Sequence, residues 1–161
     1  MLQINCLPPK IKEWGLKIKE DNMIEKDLRH PNENKWIENS TKMKSVYISG
    51  PITADNIDVW NANIMRARKV YWYLVKHGLA TYCPHTMSDR VGIRDERGVD
   101  HDMIMPNDLY WVTHCDIILM IGDYESSSGC LAELRLAKEL KKRIYFSKEE
   151  LIKNEVEKKE N

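Results

Sequence analysis

Many features that would point to a partner or a compartment are missing from this sequence. Lys plus Arg number 25 and Asp plus Glu number 25 in 161 residues. No net charge therefore favours a nucleic-acid polymer or an anionic membrane as partner. No apolar run approaches the ~18 residues of a bilayer-spanning helix. The opening Met1-Leu2-Gln3-Ile4-Asn5-Cys6 lacks the charged start and apolar core of a signal peptide. Four cysteines, Cys6, Cys83, Cys115 and Cys130, are scattered without a CxxC pair, which fits free thiols in a reducing cytoplasm. Cys83, His85, His101, His114 and Cys115 follow no compact zinc spacing, so no metal and no other cofactor is expected. No Gly-x-Ser-x-Gly frame surrounds Ser128, and no repeat is present. What is there is one domain's length of chain, with 42% hydrophobic residues to fill a core.

Residues 1–44 are rich in Lys, Glu, Asp and Asn and are expected to form an N-terminal appendage, partly helical. From residue 45 the pattern alternates. Ser45–Ser49 reads as a strand stopped by Gly50-Pro51. A helix from about Val59 to His77 buries Trp60, Ile64, Ala67, Val70, Tyr71 and Leu74, leaving Arg66, Arg68, Lys69 and Lys76 elsewhere. Leu79–Cys83 is a second strand, followed by a long polar loop from His85 to Gly98. A helix then ends near His114, with Pro106 as its expected break. Asp116–Ile121 is a continuous apolar run, as in a central parallel strand. A helix carrying Glu133, a fourth strand at Arg143–Phe146, a helix from Ser147 to Lys153 and a charged tail over 155–161 complete the chain. This alternation predicts an α/β domain over 45–154, with a mostly parallel sheet covered by helices on both faces.

Two carboxylates break the helical patterns. Glu133, read as first-turn, falls on the stripe of Cys130, Leu136, Ala137 and Leu140. Asp108 falls among Ile104, Trp111, Val112 and Cys115. An inward carboxylate costs several kcal/mol unless it is paired or used. Helix capping is the structural alternative for each. Ligands of open parallel sheets bind at the carboxyl ends of the strands. Three loops take that position: Gly50-Pro51, the segment after Tyr82, and Asp123–Gly129. In the last, Ser126, Ser127, Ser128 and Gly129 precede a helix, whose N–H groups suit a phosphate or, more simply, an N-cap. Two carboxylates at one cleft can break a glycosidic bond, one as nucleophile and one as acid.

Tyr47-Ile-Ser-Gly-Pro51, Asn107-Asp108-Leu109, Cys115-Asp116 and Ser127-x-Gly129-x-x-x-Glu133 occur in this order between Lys44 and Phe146. Together they resemble the nucleoside 2-deoxyribosyltransferase superfamily, which includes the nucleoside transferases and the 2-deoxynucleoside 5-monophosphate N-glycosidases. The resemblance implies a flavodoxin-like (Rossmann-like) domain that cleaves the base–deoxyribose bond. It implies Glu133 as nucleophile, Asp108 as the group that handles the proton on the base, and Tyr47 as hydrogen-bond donor to the nucleophile or sugar. Ser49, Gly50, Pro51, Ser127, Ser128 and Gly129 would line the substrate, Gly50 by letting the first loop approach closely. The transferases carry an acidic residue where this chain has Ser127. A hydroxyl there suits a 5-phosphate, so a nucleotide substrate and water as acceptor are expected, with Arg90, Arg94 or Arg97 as further phosphate contacts. Base exchange by a transferase and a non-catalytic nucleotide-binding module are the alternatives. The partners expected are a small-molecule nucleotide or nucleoside and, by resemblance, a second copy in a homodimer or higher homo-oligomer in the cytoplasm.

Overall fold

The structure is a computed structural model that describes residues 30–52, 54–86 and 101–160. The chain divides into two compact units, Met1–Ile37 and Glu38–Asn161. In the first, Trp36 stacks on His30 with ring centroids 4.1 Å apart. Helix α1 (Glu33–Ser40) precedes the alternating part. There the order is β1 (Ser45–Ser49), α2 (Ile57–Lys76), β2 (Ala80–Tyr82), α3 (His101–His114), β3 (Ile117–Met120), α4 (Ser128–Glu139), β4 (Arg143–Tyr145) and α5 (Lys148–Glu155).

All strand pairs are parallel and the order across the sheet is β2-β1-β3-β4. This is the flavodoxin order with four strands, so the chain reverses direction across the sheet between β1 and β3. Strand alternation sorts the side chains into two cores. Val46, Ile48, Ile117 and Leu119 face α2 and α5, packing with Ala67, Val70, Leu74, Leu151 and Ile152. Tyr47, Ile118 and Met120 face α3 and α4, packing with Val112, Cys115, Cys130, Leu134 and Ala137. A one-residue slip in β1 would exchange these sets, so burial of both faces holds the register.

Local chemistry explains the element ends. Asn56 caps α2, its side-chain oxygen accepting from the N–H groups of Asp58 and Val59. Ser147 caps α5 in the same way, accepting from Glu150. Asp116, from the Cys115-Asp116 pair, lies at the amino edge of the sheet. Its carboxylate accepts from the backbone N–H and the hydroxyl of Ser45, both at 2.8 Å. It fastens the start of β3 to the start of β1 and lies at the opposite edge from the strand ends where ligands bind.

Three expectations are corrected. Helix α3 runs through Pro106 without a break; its buried residues, Asp108 and Val112, lie beyond the proline, and the turn before it is mostly exposed. Leu140 is 45% exposed, since α4 ends at Glu139 and the inward stripe is completed by Leu134. Helix α5 reaches Glu155, which is buried rather than in a solvated tail. Its carboxylate accepts from Lys44 Nζ at 2.6 Å, Arg143 Nη1 at 2.5 Å and the Tyr145 hydroxyl at 2.7 Å. Burial pushes the carboxyl up, but these hydrogen bonds and the Arg143 and Lys44 charges outweigh it and hold it below the usual range. Glu155→Ala should cost about 2 kcal/mol of unfolding free energy, less than a fully buried pair because Arg143 is half in solvent. A urea titration measures it, and an unchanged midpoint would contradict this role.

Candidate functional site

Strand β1 delivers two hydroxyls to the α3/α4 side of the sheet, Tyr47 and, two residues on, Ser49. Both are almost fully buried, at 0% and 1% exposure. Opposite them, α4 presents Glu133, itself 5% exposed. The Tyr47 hydroxyl donates to Glu133 Oε1 at 2.6 Å, and Ser49 Oγ donates to Oε2 at 2.5 Å. Each carboxylate oxygen keeps a free lone pair. The helix begins at Ser128 with Ser127 as N-cap, so Glu133 stands in the second turn and not the first. From there it cannot reach back to the cap, and the third helical position, where a capping-box Glu would sit, is Cys130.

Burial pushes the Glu133 carboxyl up to about 7, with the Asp108 charge adding to the rise and the Ser49 and Tyr47 hydrogen bonds opposing it. Asp108 on α3 is 6% exposed and its charge bears on Glu133, Tyr47 and Tyr82. Burial, then Glu133 and Asp108, raise the Tyr47 phenol far above its ordinary range, so it stays a proton donor. The continuous α3 rules out Asp108 as the cap of a helix restarting after Pro106. Two carboxyl groups thus share one electrostatic environment at the sheet's reversal point.

The other expected residues divide. Ser127 is occupied by its own helix, accepting from the Cys130 N–H at 3.3 Å. Ser128 is exposed and Gly129 buried, both in the first turn of α4. Ser49 serves Glu133 directly. Gly50 is required for a contact other than the expected one. A Cβ there would lie 2.6 Å from Ile121 Cγ1 and 3.1 Å from Ile121 O, so its bareness lets the ends of β1 and β3 close on each other. Pro51 follows at the edge, half-buried. Arg90, Arg94 and Arg97 lie outside the described residues.

Two contributors, Tyr82 and His85, escape the sequence reading. Tyr82 stacks between Tyr47 and Trp111, with centroids 5.7 and 4.5 Å away, and makes a wall beside Asn107 and Asp108. Its place at a strand's carboxyl end was a usable signal. His85, 1% exposed, points Nε2 at the Pro51 carbonyl at 3.3 Å, with Cys83 Sγ 3.8 Å from Nδ1. A carbonyl only accepts, so Nε2 carries the proton and the neutral ring ties the end of β2 to the Gly50-Pro51 loop. Burial pushes His85 down to about 4. Burial likewise pushes the Cys83 thiol up to about 11, so the two are not an ion pair. Cys130, on the inward stripe as expected, lies against Ser127, Ser49 and Glu133 as a buried thiol whose proton affinity burial raises. Among the described residues no three His, Cys, Asp or Glu side chains gather as metal ligands, and no helix is long and apolar enough to cross a membrane.

Fold and site together define an α/β protein with an all-parallel sheet of flavodoxin order, carrying a buried, hydroxyl-held carboxyl group at its reversal point. The chain belongs to the family described as Domain of unknown function (DUF7768), whose model matches residues 44–147. No curated protein matches it. Among solved structures, the crystal structure of a conserved protein from Enterococcus faecalis V583 is similar at 17% identity with a TM-score of 0.49. The similarity covers 63% of this chain and 61% of that one, so the chain spans about three fifths of that protein's length.

Proposed function

We propose that this protein cleaves the N-glycosidic bond of a (deoxy)nucleoside 5-monophosphate with retention, through a glycosyl-enzyme on Glu133. The observation that carries the reading is the Glu133 carboxylate, buried and held by Tyr47 and Ser49 beside a second carboxyl group, Asp108. No helix cap or ion pair among the described residues accounts for burying it. The resemblance to the nucleoside 2-deoxyribosyltransferase superfamily supplies the substrate class.

In the first step a Glu133 oxygen attacks the anomeric carbon while the carbon–nitrogen bond breaks. The bonding pair leaves with the base, and Asp108 delivers a proton to it. Tyr47 and Ser49 hold the carboxylate in one rotamer, which lowers the entropy cost of attack. In the second step water attacks the same carbon, the bond to Glu133 breaks, and the water's proton passes to Asp108. Free base and the 5-phosphorylated sugar are released. A second base in place of water gives the transferase reaction.

The test is incubation of the full chain with deoxynucleoside and ribonucleoside monophosphates and their nucleosides, with and without a free acceptor base, followed by chromatography. Base release from monophosphates is expected. A new nucleoside formed only with acceptor would assign base exchange. Ligand-induced stabilisation with no free base, even at high protein concentration, would replace catalysis by binding alone.

A further inference from the structure

Arg66 is exposed on α2, as the helix pattern assigns, and its guanidinium lies over Gly122 at the carboxyl edge of the sheet. Nη1 donates to Asn63 Oδ1 at 3.1 Å, from an asparagine only 7% exposed one turn earlier. The guanidinium then crosses Gly122, the second residue beyond β3. A Cβ on Gly122 would lie 2.7 Å from Arg66 Nη1 and 3.5 Å from Pro51 Cδ. Gly122 has φ +65°, a left-handed backbone that keeps this spot bare. The Arg66 charge also bears on His85 beyond β2, which itself bonds Pro51 beyond β1. The ends of three neighbouring strands therefore meet around one cation, at the reversal point where open α/β sheets bind ligands. Among the described residues no acidic side chain is ion-paired with it. A planar guanidinium with most of its N–H donors unspent matches a phosphate's oxygens.

We propose that Arg66, positioned by Asn63 across Gly122, binds the phosphate monoester of the substrate and so discriminates nucleotides from nucleosides. This rests on the nucleotide reading given above and names the residue responsible. Ser127, occupied by its cap, supplies at most a second contact, and the α2 cation carries the selectivity.

Calorimetric titration of the full chain in the Glu133→Gln background tests this without turnover. The probes are deoxynucleoside monophosphates, the matching nucleosides and inorganic phosphate. Arg66→Gln should weaken monophosphates by about 10- to 100-fold, the range of a lost charge-assisted pair. Nucleosides should change by about twofold or less, Arg66→Lys should fall between, and phosphate should compete before but not after Arg66→Gln. Equal losses for nucleotide and nucleoside, unchanged monophosphate affinity, or no binding of monophosphate or phosphate to the parent would each overturn the assignment. The two readings fail separately. Arg66-dependent monophosphate binding with no base release by the wild type keeps the anion site and sinks the glycosidase. Monophosphate cleavage undiminished by Arg66→Gln does the reverse.

Discussion

Glu133→Gln is expected to abolish base release, by on the order of 10⁴-fold or more in kcat, while leaving nucleotide affinity within about threefold. The amide lacks the negative charge needed to attack the anomeric carbon, but it keeps the volume and both hydrogen bonds. Its oxygen accepts from Tyr47, and its NH₂ donates to Ser49 once that hydroxyl turns. The fold therefore survives and the readout is chemical. Glu133→Ala is a poorer test, because it strands two buried hydroxyls, each costing about 1–3 kcal/mol, and mixes unfolding with lost chemistry. Residual kcat in Glu133→Gln above about a tenth of the wild type would remove Glu133 from the reaction.

The second large effect is on pH. A nucleophile must be ionised, and Glu133 holds its proton up to about 7. Base release should therefore rise about tenfold per pH unit below 7 and fall again at higher pH, since the group that protonates the leaving base must keep its proton. Stability runs the other way. The folded carboxyl, at about 7, lies above its ordinary 4.5, so between these values the native state binds a proton that the unfolded chain has lost. This contribution is fully present below 4.5 and disappears as pH rises through 7. The loss amounts to about 3 kcal/mol for a group this buried. Glu133→Gln has no such group, so its stability relative to wild type should improve by that amount between pH 4.5 and 8. Denaturant midpoints for both proteins at the two ends measure it. A difference that does not vary with pH would mean that Glu133 titrates as an ordinary surface carboxyl.

The two results are linked. The site holds an acidic group away from water, which makes it less ionised at neutral pH but more reactive once ionised. Tyr47 and Ser49 moderate that burial by donating to the charged form. Without them the carboxyl would be pushed higher still and the nucleophile would be scarcer at neutral pH.

Some of this was legible in the residues. Period-two alternation in β1, the continuous apolar run of β3 and the amphipathic stripe of α2 specify their elements, because each must bury a definite face. Strand ends were read to within a residue or two. Glu133 and Asp108 stood out because a carboxylate on an apolar stripe contradicts the burial that the stripe requires. The exceptions have definite causes. Pro106 reads as a break, yet α3 continues through it, anchored beyond the proline by buried Asp108 and Val112, a long-range packing that the local pattern does not carry. Leu140 was read as core, yet its helix ends one residue earlier. Arg66 reads as lying off the buried stripe and is exposed there, but a helical wheel does not say which loop so long a side chain reaches.

The sequence alone determined the α/β class, the strand and helix succession and the two misplaced carboxylates, since all three depend on local periodicity. Which groups meet was decided only by the tertiary structure. The pairings of Glu133 with Tyr47 and Ser49 span 86 and 84 residues, and Arg66 reaches Gly122 from another element. Such pairings depend on strand order, and strand order follows from how two apolar faces are covered at once, which no single segment encodes.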